Sequence, residues 1–168
     1  MTYARIISTG ISLPEKVMTN DDLAKIVDTS DEWISTRTGI RERRVAGPDE
    51  AASDFGAEAA KRALEAAGME PDEMDAIIVG TITPDNPFPA TACLIQEKLG
   101  ATKPFAFDVS AACSGYLYIL SIANAYIQSR RPDYGEGRPG SANHQRLHLG
   151  NQPDHCRAGC VEYAGRSA

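Results

Sequence analysis

Apolar runs that alternate with helix-length stretches constrain the fold of this chain more than any other feature. Ala76-Ile77-Ile78-Val79-Gly80-Thr81 reads as a buried strand, and Phe105 to Val109 reads as another. Helical stretches separate and follow them. Glu50 to Ala67 is rich in alanine and glutamate and is stopped by Gly68, Ala90 to Leu99 is ended by Gly100, and Cys113 to Gln128 is apolar. Further upstream, Arg5 to Gly10 suggests a short strand. Thr19 or Asn20 can cap a helix through Val27 with Asp21 and Asp22 in its first turn, and Ser30-Asp31-Glu32-Trp33 starts another. Strands joined through helices of this length pair in parallel, so an α/β fold with a mainly parallel sheet flanked by helices is expected.

That pattern stops after Ser129. Residues 1–129 carry a charge of −8, and residues 130–168 a charge of +2. All five lysines precede residue 104, whereas His144, His148, His155, Cys156 and Cys160 all lie in the last 39 residues. The tail has six glycines and only Leu147, Leu149 and Val161 as large aliphatic residues, too few to bury much surface. Two regions are therefore expected: a folded unit over 1–129, and an irregular tail over 130–168.

The chain as a whole has 168 residues and a net charge of −6, which disfavours a nucleic-acid or anionic-membrane binder. Its longest apolar stretch, Tyr116 to Ile127, falls short of the roughly 18 residues of a membrane span, and no signal peptide is evident. Four cysteines are too few for a disulfide scaffold, so a cytoplasmic location is expected.

The sharpest chemical signal is Phe107-Asp108-Val109-Ser110-Ala111-Ala112-Cys113-Ser114-Gly115-Tyr116. A strand runs into small residues, then a cysteine, then an apolar helix. Small neighbours let a substrate approach the sulfur, and a helix N-terminus favours the thiolate over the thiol. Such a thiolate suits acyl transfer from a thioester. The same pattern also fits a small cysteine buried in the core.

Four stretches carry a family resemblance. They are Asp28-Thr29-Ser30-Asp31-Glu32-Trp33-Ile34, Thr36-Arg37-Thr38-Gly39-Ile40-Arg41-Glu42-Arg43, Phe88-Pro89-Ala90-Thr91-Ala92-Cys93, and Asp108 through Gly115. In order and spacing, residues 1–129 resemble the N-terminal part of β-ketoacyl-acyl-carrier-protein synthase III, the initiating condensing enzyme of bacterial fatty-acid synthesis. The resemblance implies the N-terminal half of a thiolase-like fold, in a parent about twice this length that is a homodimer. It implies that Cys113 accepts an acyl group from acyl-CoA, a substrate and not a permanently bound cofactor. The acyl group would then be condensed with malonyl-acyl-carrier protein with loss of carbon dioxide.

The resemblance also implies that Trp33 stacks on the adenine of coenzyme A and that Thr29 and Arg37 contact its nucleotide end. An indole face and a guanidinium suit those tasks. A helix anchor and a solvated basic face are the alternatives for these residues. Phe88 matches a phenylalanine that shapes the acyl pocket across the dimer interface, with ordinary loop packing as its alternative. Cys93 is read as core.

The family's decarboxylating histidine and asparagine, and its glycine-rich oxyanion segment, have no match here, so the chain alone is expected to be inactive in the full reaction. The rival readings are a non-catalytic dimerisation module around Phe88 and a related starter-unit synthase of a specialised pathway.

The tail admits further readings. His144, His148, His155, Cys156 and Cys160 offer zinc ligands, but not in a known spacing, so no metal is expected. Cys156 and Cys160 could pair only under oxidising conditions. A shifted reading frame explains the tail better. Leu149 to Cys156 can be encoded by codons that, read one nucleotide later, give Trp-Glu-Thr-Ser-Arg-Thr-Thr-Val, which resembles the family at about the expected distance from the nucleophile.

Overall fold

The computed structural model describes residues 4–129 and the strand Ala158–Glu162. The elements are β1 (Val17–Thr19), α1 (Asn20–Ala24), α2 (Asp31–Thr38), β2 (Glu42–Arg44), α3 (Ala52–Ala67), β3 (Ala76–Gly80), α4 (Thr91–Leu99), β4 (Phe105–Val109), α5 (Gly115–Ser129) and β5 (Ala158–Glu162).

β3 is the centre of a parallel three-stranded sheet of order β4-β3-β5. Its five residues are all buried, as a strand covered on both faces requires. Alternation then decides which helix each residue meets. Ile77 and Val79 face a cluster with Ala57 and Leu64 of α3 and Ala92 and Ile95 of α4. Ala76 and Ile78 face Ile119 of α5, with Phe105 and Phe107 of β4 packed alongside. The sheet is thus sandwiched between α3 and α4 on one side and α5 on the other, confirming the α/β expectation. α3 and α4 stop at the glycines the sequence offers, Gly68 and Gly100.

The N-terminal third departs from the sequence expectation in three places. Arg5 to Gly10 forms no strand. It lies instead on α3, where the Ser8 hydroxyl donates to the Ala63 carbonyl at 2.8 Å. A Cβ at Gly10 would collide with the Ala59 carbonyl oxygen, so only glycine fits this crossing. Its backbone is held against α3 and takes no part in the sheet. Secondly, α1 ends at Ala24, not Val27, because the Lys25 amide donates to the Asp22 carbonyl and the Ile26 amide to the Leu23 carbonyl, bonds three residues back that tighten the turn and close the helix. Thirdly, a short antiparallel ribbon, β1 with β2, pairs Val17 with Arg44 and Thr19 with Glu42. Three residues, Val-Met-Thr in one strand and Glu-Arg-Arg in the other, are too few to carry a periodic signal.

β5 lies within the region expected to be irregular. β3 has two edges, and its second row of backbone donors and acceptors needs partners that only another extended segment supplies. The rest of the 130–168 tail lies outside the described residues. The metal and disulfide readings of His144, His148, His155, Cys156 and Cys160 rest on side chains outside them too. Among the described residues no helix is long and apolar enough to cross a membrane, and no group of three or more His, Cys, Asp or Glu side chains could hold a metal ion.

Candidate active site

Cys113 sits beyond the carboxyl end of β4, where open parallel sheets place their ligands. The helix does not begin at the cysteine, as the sequence suggested. A tight 3-10 turn, Ala112–Ser114, intervenes, and α5 starts at Gly115. Ala112 takes a φ of +44°, a left-handed conformation unfavourable for a residue with a Cβ. Backbone held in that region costs about 1–3 kcal/mol and persists where surrounding packing enforces it. The turn lifts Cys113 out of the core, so the free thiol is exposed in front of a 15-residue helix. The buried-core alternative for this cysteine is thereby removed.

Packing beneath the turn supplies that enforcement. A Cβ on Gly80, the last residue of β3, would come within 2.8 Å of Ile119 Cδ1 and 3.6 Å of the Gly115 backbone. The first turn of α5 therefore rests directly on the end of the central strand. The Thr81 amide extends the pairing by donating to the Val109 carbonyl at 3.2 Å.

Asp108, on β4, organises the opposite side. Its two carboxylate oxygens accept from the Thr91 and Ala92 amides, each at 2.8 Å. The residue before α4, Ala90, offers no side-chain cap, so a carboxylate from the neighbouring strand does this work and favours the positive helix end. The loop between β3 and α4 is held from both ends. Asp85 Oδ1 accepts from the Ser53 amide at 3.0 Å, and the Asp85 amide donates to Thr91 Oγ1 at 3.4 Å. Phe88 projects from this loop and is 87% exposed, before a cis bond to Pro89. Loop packing, its bland alternative, does not describe a ring that solvent-exposed. Cys93, read from the sequence as core, is only half-buried in α4.

Thr29, Trp33 and Arg37 form a second group, on and beside α2. Ser30 caps the helix by accepting from the Trp33 amide at 3.1 Å. Asp28, Thr29, Ser30 and Trp33 line an open cavity of about 470 Å³. Trp33 is 53% exposed, so the anchor role falls not to it but to Ile34, the one buried residue of α2. The Arg37 guanidinium lies over the indole, 4.6 Å from the ring centroid. The structure thus brings these three residues into one patch, and sets Cys113 and Phe88 on the loops after β4 and β3. Two arrangements near these groups carry no local sequence signal: Asp108 as the cap of α4, and Asn20 as a buried amide. A buried polar residue among exposed neighbours is the only signal, and burial is not written in the local sequence.

No family model matches the chain. It is 56% identical over 126 residues to the β-ketoacyl-[acyl-carrier-protein] synthase III of Caldanaerobacter subterraneus subsp. tengcongensis, covering 75% of this chain and 38% of that protein. The crystal structure of 3-oxoacyl-[acyl-carrier-protein] synthase III from Aquifex aeolicus superposes with a TM-score of 0.72 at 55% identity, over 75% of this chain and 41% of that one. The priming β-ketosynthase of the R1128 polyketide biosynthetic pathway gives a TM-score of 0.72 at 40% identity, over 76% of this chain and 38% of that one. The chain spans about two fifths of the length of the curated relatives it matches. Over the stretch they share, this chain is similar to the β-ketoacyl-[acyl-carrier-protein] synthase III proteins and has the thiolase-like fold of their N-terminal part.

Proposed function

We propose that the chain carries the acyl-accepting part of a condensing acyltransferase that initiates fatty-acid synthesis, with Cys113 as the nucleophile. The observation that carries this reading is the exposed thiol on the Ala112 turn, ahead of α5 and at the carboxyl edge of the parallel sheet. The thiolate attacks the acyl carbonyl of acyl-CoA, the carbon–sulfur bond to coenzyme A breaks, and coenzyme A leaves as its thiolate. In the second half-reaction malonyl-acyl-carrier protein loses carbon dioxide, its carbanion attacks the acyl-cysteine carbonyl, and the Cys113 thiolate is released. Decarboxylation draws on a histidine and an asparagine that the family supplies from beyond the stretch matched here, so the 168-residue chain by itself is assigned the first half-reaction only.

Trp33 offers a stacking face to the adenine, while Arg37 and Thr29 meet the nucleotide end. This is supported by the open cavity beside Trp33 and by an arginine already parked on its ring. Arg37 would turn from the indole to a phosphate when the nucleotide arrives. Phe88, so exposed here, suits a homodimer in which it enters the acyl pocket of a second copy. A cytoplasmic location accords with acyl-CoA and carrier protein as partners.

Incubation with radiolabelled acetyl-CoA followed by peptide mapping tests the reading. Label is expected on the Cys113 peptide and absent from Cys113→Ala, and label on Cys93 instead would overturn it. A second reading, priming of a polyketide pathway, is favoured by the likeness to the R1128 synthase. Relative labelling rates with acetyl-CoA and longer acyl-CoA thioesters separate the two. For residues 130–168 we keep the shifted-frame reading, although Ala158–Glu162 pairs with β3 as β5. Resequencing the DNA around the Ser129 and Arg130 codons decides it.

A further inference from the structure

Asn20 is almost fully buried, at 1% exposure, among the mostly exposed residues around α1 and α2. Its carboxamide reaches three separate segments. Nδ2 donates to Asp31 Oδ1 at 2.7 Å and to the Ile40 carbonyl at 2.8 Å, and Oδ1 accepts from Arg43 Nη2 at 2.6 Å. Its backbone amide donates to the Arg41 carbonyl at 3.2 Å. Asp31 opens α2, and Ile40 follows Gly39, which closes it. One buried amide therefore grips both ends of the helix that carries Trp33 and Arg37. The amide dipole is also set the favourable way round, oxygen toward the Arg43 cation and hydrogens toward the Asp31 carboxylate.

Helix α2 has little else to hold it. Ile34 is its one buried residue, and eight residues make a helix too short to be stable by itself. We propose that Asn20 is the positioning residue of the nucleotide-binding patch: it fixes the tilt and register of α2, so that the indole and the guanidinium stand ready for the nucleotide end of a coenzyme A thioester. It touches no ligand and acts through Asp31 and the Ile40 carbonyl, with Arg43 anchoring it to β2. The proposal rests on the reading of α2 as the coenzyme A patch.

Trp33 is the only tryptophan, so its emission reports this patch without interference. The 168-residue chain is titrated with adenosine 3′,5′-bisphosphate, the nucleotide end of coenzyme A, while Trp33 fluorescence is followed. Two variants are compared. Asn20→Ala removes the whole grip, and Asn20→Asp keeps the size and the Arg43 bond but turns a carboxylate toward Asp31. Each is expected to raise Kd about tenfold, the effect of leaving buried hydrogen-bonding groups without partners. The rate of iodoacetamide alkylation at Cys113, mapped by mass spectrometry, is expected to stay at the wild-type value, as is the helix signal in far-ultraviolet circular dichroism. Unchanged Kd in both variants overturns the role of Asn20 and leaves the patch standing. Loss of Cys113 reactivity or of helix signal along with binding assigns Asn20 a general structural role and also overturns the proposal. No response of Trp33 in the wild-type chain overturns the patch itself, and the positioning role with it.

Discussion

The sheet that carries Cys113 and the α2 patch that carries Trp33 are fixed by opposite means. Around β3 the restraint is apolar. Ile78 is 0% exposed, Ile119 likewise, and the strand is covered by helices on both faces. That packing is strong enough to hold Ala112 in a left-handed conformation. Around α2 the restraint is polar: a serine cap, a buried asparagine, an arginine and a carboxylate, with a single buried isoleucine. A nucleophile must be held to a fraction of an ångström, and dense packing does that. On the proposed reading, a nucleotide patch must keep a flat ring and a cation in water until the ligand comes, so burying them would defeat the purpose. Hydrogen bonds among a few interior polar groups can orient a helix without covering its outer face.

The largest expected effect strikes the sheet. Ile78→Ala should cost about 2–5 kcal/mol, from lost burial plus the cavity left between β3 and α5. Urea unfolding followed by circular dichroism measures it. If Asn20→Ala proves equally costly, the division between an apolar sheet and a polar patch breaks down.

Asp108→Ala leaves two amides at the start of α4 without their acceptor. A loss of about 1–3 kcal/mol is expected. Faster hydrogen exchange at the Thr91 and Ala92 amides, with the Ala76–Gly80 amides unchanged, would show that the effect is local. Global exchange would instead make Asp108 part of the sheet's own stability.

Ser30→Ala removes the cap of α2 and should cost about 1 kcal/mol. The patch should feel it first, as a red shift of Trp33 emission at denaturant concentrations that leave the sheet folded. A single coincident transition in both probes would mean that the patch and the sheet unfold as one unit.

The smallest effect concerns acid. Lys98 donates to Asp54 and to Ser53, tying α4 to the first turn of α3, and the hydrogen bond from Lys98 holds the Asp54 carboxyl below its usual 3.8. A depressed carboxyl contributes stability that is complete above the unfolded value and fades as pH falls through the folded one. Both partners are partly exposed, so the contribution should stay under about 1 kcal/mol. Asp54→Asn should lower the melting temperature slightly at pH 7 and leave it unchanged near pH 2. A difference that persists at pH 2 would show that the tie is not ionic.

Some of this was legible before any fold was known. The run Ala76 to Gly80 could be read as a buried strand because five consecutive apolar or small residues leave no polar face to expose. Gly68 and Gly100 announced the ends of α3 and α4, and Ser30 the start of α2. The cysteine between strand and helix stood out for the small residues around it. These signals are short-range, since a cap, a stop or an alternation involves residues a few positions apart.

What the amino-acid order determined by itself was therefore the α/β class, the places where helices begin and end, and the nucleophile candidate. Only the tertiary structure decided that Arg5 to Gly10 lies on α3 without becoming a strand, that Ala112 is forced into a left-handed turn, and that Asp108 caps a helix 16 and 17 residues away. It alone revealed Asn20, whose side-chain partners stand 11, 20 and 23 residues along the chain. The reason is physical: local preferences act through neighbouring residues, whereas a buried polar group is fixed by whichever distant partners the packing brings to it once water has been excluded.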